Sequence, residues 1–250
     1  MTARSSTARA QADELERALR AAGRPERASS EKRYLKSDLE FLGVDATGMR
    51  GVVRAFLERH GKPDHDRLVS LVEELWAHPV HERRAVAIEL LDRHRRLLGP
   101  ADLPLVERLL RDSRTWAYVD ALAVHVVGSI VERDPEAVSV LDRWATDGDF
   151  WLRRSAMLAL LRPIRRGEGD FERFARYADA MLEEREFFIR KAIGWILRDA
   201  SKSRPDLVFD WLAPRTHRVS GVTIREAVKY LPVDQREALM TAYTTRTAAG

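Results

Sequence analysis

The chain of 250 residues contains no cysteine. That excludes disulfides and thiolate metal ligands, and it favours a reducing, intracellular setting. Long apolar runs are missing as well. No stretch approaches the ~20 residues of a membrane span, and the opening MTARSSTARAQADELERAL has no apolar signal core. A soluble, cytoplasmic protein without a membrane partner is expected. Neither sign of charge dominates: 43 Lys and Arg against 39 Asp and Glu leave a net charge of +4. Such a balance admits nucleic acid as a partner without requiring it.

Several chemistries are absent too. HERRA, from His81, starts like a zinc-protease helix but has Ala85 where the second histidine belongs. The seven histidines show no ligand spacing backed by a third donor, so no metal is expected. GEGD, Gly167 to Asp170, is half a dinucleotide fingerprint, but it follows a helical segment and lacks the third glycine. There is no phosphate loop and no GxSxG. Any catalysis must therefore run on carboxylate, arginine and aromatic groups, with no cofactor.

What is present is helical periodicity. SLVEELWAHP, RRAVAIELLDRHRRL, PLVERLLRDS and RRSAMLALLRPI carry apolar residues at three- and four-residue intervals. Pro63, Pro79, Pro100, Pro135, Pro163, Pro205 and Pro214 punctuate them at intervals suited to short helix pairs. Ala85, Ala121, Ala156, Ala192 and Ala227 each precede an apolar residue, with steps of 36, 35, 36 and 35. This period predicts an all-α, HEAT-like repeat α-solenoid with a concave surface. One domain is expected over 9–242, between a flexible start at 1–8 and a flexible tail at 243–250.

The repeat sorts residues into columns. Two places before the alanines stand Arg83, Arg154, Arg190 and Arg225, with Val119 as the exception. Arginines in one column can grip successive phosphates along a ridge. They can equally cap helices or pair with acids on neighbouring repeats, and the pattern alone does not choose. The column positions of Trp116 and Trp195 are mostly apolar in the other units, which favours packing for both. Trp76, Trp144 and Trp211 are expected in the core. Trp116 and Asp120, four residues apart, share one face of a helix whose remainder is apolar.

The segments EKRYLKSDLEFLGV (31–44), ELWAHPVHERRAVAIELLDRH (74–94), RTWAYVDALAVHVVG (114–128), DFWLRRSAMLALL (149–161) and EREFFIRKAIGWILRDASKSRPD (184–206) together resemble the AlkD-type alkylpurine DNA glycosylases. The resemblance covers about residues 25–235. It implies a basic, DNA-binding concave surface and hydrolysis of the glycosidic bond of N3- or N7-alkylated purines in double-stranded DNA. By that resemblance Asp120 is the catalytic carboxylate, while Trp116 and Trp195 flank the damaged nucleotide. Arg154 contacts phosphates and Tyr34 lies near the lesion. Arg83, Arg190, Lys191 and Arg225 complete the expected DNA contacts, and a monomer is expected to bind. Thr115 stands where some members carry a second tryptophan. The alternative reading is a non-catalytic relative that binds distorted or branched DNA. Such relatives lack the acid or the tryptophans.

Overall fold

The computed structural model describes residues 3–248, and side chains over 6–245. The protein is all-α, and among the described residues its β pairing is one isolated bridge, Glu40 to Val80. No helix among them is long and apolar enough to cross a membrane. The domain expected over 9–242 divides into two compact units, one ending at Val126 and the other starting at Val127. A repeat architecture has many local cores and no single central one, so its contacts sort this way.

The first unit holds α1 (Ala3–Ala22), α2 (Pro25–Leu35), α3 (Ala46–His60), α4 (His65–Trp76), α5 (His81–Arg93), α6 (Leu103–Ser113) and α7 (Trp116–Ala121). A π-helical turn, Leu122–Val127, follows α7. The second unit comprises α8 (Gly128–Arg133), α9 (Ser139–Trp144), α10 (Phe150–Leu158), α11 (Leu161–Arg165), α12 (Phe171–Met181), α13 (Phe187–Ala200), α14 (Pro205–Leu212), α15 (Gly221–Ala227) and α16 (Val233–Ala248).

Local chemistry sets these boundaries. Asp45, Asp64 and Asp170 each accept a hydrogen bond from a backbone N–H three residues on, satisfying donors that α3, α4 and α12 leave unpaired at their starts. Pro25 and Pro205 open α2 and α14, where a missing N–H costs nothing. Pro163 is the departure from the expected punctuation. It lies inside the short α11, but within the first turn, where its nitrogen has no intrahelical partner to lose. Over the ends expected to be flexible, α1 begins at Ala3, Ala8 is buried, and α16 continues to Ala248. Met1, Thr2, Ala249 and Gly250 lie outside the described residues.

Tertiary hydrogen bonds repeat the sequence period. In the first unit Trp76 bonds Asp112, 36 residues on, and Tyr118 bonds His81, 37 residues back. In the second, Arg165 bonds Asp199, Lys191 bonds Glu226 and Arg215 bonds Asp179, at separations of 34, 35 and 36. Within each unit, therefore, a helix pair is tied to its neighbour at nearly the same repeat position. That is nearest-neighbour stacking, the defining property of a helical repeat. Trp76, Trp144 and Trp211 are buried, as the amphipathic pattern predicts.

Candidate active site and nucleic-acid interface

Of the six tryptophans, four are buried; Trp116 and Trp195 are the two that are not. Column statistics favoured packing for both, and the structure corrects this for Trp116, which is 37% exposed. Its apolar neighbours in the column show that a repeat position can be hydrophobic for different reasons in different units.

Trp116 opens α7, with Thr115 as N-cap accepting from the Ala117 N–H. Asp120 stands one turn on, half-buried, on the same face. Tyr118 and Val119 point the other way and are buried. Facing Trp116 is Tyr34 of α2, 72% exposed, its ring edge-on at 6.2 Å and 89°. α2 buries no residue of its own. Its base is held instead by Gly43, whose φ of 81° and close approach to Arg24 leave no room for a Cβ. Glu82, fully buried, accepts from the N–H groups of Leu42, Gly43 and Val44 and so fixes this loop on α5. The first unit thus presents an aromatic pair and a carboxylate on one surface.

The arginine column resolves toward structure. Arg83 is 1% exposed; it donates to the carbonyls of Glu74 and Leu75 at the end of α4 and forms an ion pair with Glu16. It caps a helix C-terminus inside the fold, whereas the sequence reading has it among the DNA contacts. Arg154, 4% exposed, donates to the Phe188 carbonyl and lies over the Phe188 ring at 5.9 Å. Arg190 is half-buried and donates to the Glu184 carbonyl at 2.6 Å. Both secure the turn leading into α13. Arg225 alone of the column is exposed. The phosphate-gripping ridge is therefore not formed by this column, because a guanidinium at the base of a repeat is the ready donor for the unpaired carbonyls there.

In the second unit exposed and half-buried cations gather around two buried carboxylates that sequence reasoning passed over. Asp199 pairs with Arg165, Arg198 and Lys202; Glu226 pairs with Lys191, Arg198 and Lys229. Five cations around two acids leave an excess of positive charge. Burial pushes the Asp199 carboxyl up, but hydrogen bonds from Arg165 and Lys202 outweigh it and hold the group below the ordinary aspartate value. Glu226 behaves likewise, with Lys229 and Lys191 overcoming burial. Trp195 donates its indole N–H to Asp199 at 3.2 Å, which fixes the ring orientation. Lys202 sits 4.6 Å over the ring of Tyr230, itself 55% exposed. Aromatic faces interleaved with lysines suit a sugar–phosphate backbone. The available signal was the repeat of W-x-x-x-D: Trp195 and Asp199 have the spacing of Trp116 and Asp120.

Gly194 explains the glycine of the KAIGW stretch. A Cβ there would lie 2.8 Å from the Glu226 Cβ and 2.9 Å from the Thr223 carbonyl oxygen, so glycine permits α13 and α15 to pack closely enough to bring Lys191 onto Glu226.

Residues 15–231 match the family model described as DNA alkylation repair enzyme. Among solved structures, a predicted DNA alkylation repair enzyme from Enterococcus faecalis aligns with a TM-score of 0.73 and 24% identity, over 84% of this chain and 97% of that one. AlkD2 from Streptococcus mutans aligns with a TM-score of 0.57 and 19% identity, over 82% and 100%. At these identities the likeness is one of fold. No curated protein matches. With the family match spanning most of its length, the chain belongs to the DNA alkylation repair enzyme family.

Proposed function

We propose that the protein is a monofunctional DNA glycosylase that hydrolyses the N-glycosidic bond of cationic N3- or N7-alkylated purines in duplex DNA and leaves an abasic site. The observation that carries this reading is the pairing of an exposed Trp116 with Asp120, one turn apart, on a helix whose opposite face is buried.

An alkylated purine already carries positive charge, so its bond to C1′ breaks without an acid. The bonding electron pair leaves with the base, which departs neutral, and oxocarbenium character develops on the deoxyribose. Asp120 stabilises that cation electrostatically and orients the water that adds to C1′, whose proton passes to solvent. Trp116, with Tyr34 edge-on beside it, offers an electron-rich face to the same cationic sugar. Trp195 and the cluster of Lys191, Arg198, Lys202, Lys229 and Tyr230 bind backbone, and Arg225 adds a further exposed cation. Glycosylases commonly extrude the target base into a pocket. A tryptophan more than a third exposed suits contact with the sugar and backbone of a stacked nucleotide better than enclosure of a flipped base. An open surface of that kind also tolerates bulky adducts.

The test is release of modified base from a duplex with a single N7-methylguanine, wild type beside Asp120→Asn. Base release by wild type, with a fall of at least ~10²-fold in the variant, supports the reading. A wild type inactive on this lesion and on a bulky N3-adenine adduct, yet tightly bound to duplex, overturns it in favour of a binding-only relative.

A further inference from the structure

We propose that Tyr118 and His81, though distant from solvent, are positioning residues that set the rotation of α7 and hence the placement of Trp116 and Asp120; this rests on the glycosylase reading above. Tyr118 lies between those two residues in sequence and on the opposite face of the helix. Its hydroxyl is 2.6 Å from His81 Nδ1 and 3.1 Å from the His81 carbonyl oxygen. With Nδ1 protonated, the hydroxyl accepts from the ring and donates to the carbonyl. With Nδ1 bare, it donates to the ring. Either tautomer ties α7 to the first residue of α5.

The imidazole is itself clamped. Phe41 stacks on it at 4.3 Å and 10°, the Tyr118 ring at 5.3 Å and 24°, and Trp76 meets Tyr118 edge-on at 5.7 Å. Burial pushes His81 down to about 4 and Tyr118 upward, so both are neutral at neutral pH and neither places a charge beneath the site.

α7 continues through the π turn into α8, so its C-terminal side is held by a buried helix, and its exposed N-terminal end is the part that an added tie would steady. α7 has six residues, its N-cap bond from Ala117 is 3.4 Å long, and a π turn follows. The π turn replaces i to i−4 bonds by i to i−5 bonds, which shifts the side-chain register between α7 and α8 without interrupting the helix. A carboxylate about 5 Å from a helix axis moves about 2 Å if the helix turns by about 20°. Displacements of even 1 Å at a reacting centre can lower rates by ~10²-fold. The Tyr118 hydroxyl is a polar contact on the back of α7 that, with the buried Val119, opposes this rotation.

The experiment compares wild type, Tyr118→Phe and His81→Asn by single-turnover base release with enzyme in excess. Affinity for the same duplex and hydrogen exchange of the 115–121 amides are measured on the same proteins. Tyr118→Phe keeps the ring and its packing but removes the tie. The expected result is a fall in rate of ~10- to 10²-fold with duplex affinity unchanged and exchange raised in α7. Asparagine places a polar atom close to Nδ1, so His81→Asn retains more of the rate than Tyr118→Phe. A Tyr118→Phe protein with wild-type rate overturns the proposal. If wild type releases no base, the glycosylase reading fails separately, and the exchange measurement still decides: unchanged protection in α7 shows that Tyr118 does not hold it.

Discussion

Trp195 donates its indole N–H to Asp199 one turn further along α13, at 3.2 Å, with the same W-x-x-x-D spacing that joins Trp116 to Asp120. The two pairs serve different ends. Asp199 is 1% exposed and compensated by three cations, so it acts as a clamp for Trp195 and a seat for lysines. Asp120 is half-buried on the face of Trp116, and the proposed chemistry falls to it. Asp199→Asn leaves Arg165, Arg198 and Lys202 without their shared anion but still in contact with solvent, so stability should fall by about 2 kcal/mol, the loss of hydrogen bonds to a charged group. Chemical denaturation measures the loss, and acrylamide quenching of Trp195 should rise alongside it.

Arg83 and Lys191 provide opposite outcomes in one assay. Arg83→Met removes donors from two helix-end carbonyls and an ion pair, so it should cost about 3 kcal/mol of stability while leaving the salt dependence of duplex binding unchanged. Lys191→Ala, at a partly exposed amine, should barely alter stability and should lower the log–log salt slope by about 1. Equal slopes for Lys191→Ala and wild type would remove this lysine from the DNA interface.

Gly194→Ala inserts a methyl where 2.8 Å separates the ideal Cβ from Glu226. Overpacking between α13 and α15 should cost about 1–3 kcal/mol and shift Glu226 away from Lys191. Thermal unfolding reports the first effect. A weaker duplex affinity at low salt reports the second.

The stability of the protein should depend on pH through His81. Its folded pKa is about 4 against 6.5 for a solvated imidazole, so the unfolded chain binds the extra proton between those values. The corresponding stability, about 3 kcal/mol from that shift, is complete above pH 6.5 and is lost as pH falls toward 4. His65, raised by its hydrogen bonds to Asp102 and Asp66, acts in the opposite sense and loses its contribution as pH rises. The difference between wild type and His81→Asn isolates the first. That difference should change across pH 6.5 to 4 and be flat from 7 to 8.

The helical class and the ~35-residue repeat were legible in the sequence because hydrophobic periodicity is imposed residue by residue, and every repeat must bury the same face. The same regularity identified Trp76, Trp144 and Trp211 as core. The motif around Trp116, Asp120 and Trp195 was legible as a resemblance, as was Tyr34. The fate of the arginine column was not. Arg83 and Arg225 occupy equivalent positions, yet one lies inside beneath the end of α4 and the other is exposed. A column fixes where a Cα sits, while the unpaired carbonyls and acids within reach decide where a long side chain ends. For the same reason the charge cluster on Asp199 and Glu226, and the tie between Tyr118 and His81, became visible only in three dimensions. The bonds of Tyr118 to His81, Arg165 to Asp199 and Lys191 to Glu226 join residues about one repeat apart, which stacking brings within reach, while Lys202 and Lys229 reach the same acids from one helical turn away. The sequence by itself determined the fold class and the face of α7 that Trp116 and Asp120 share. Tertiary packing decided which cations remain on the surface and what holds that face in place.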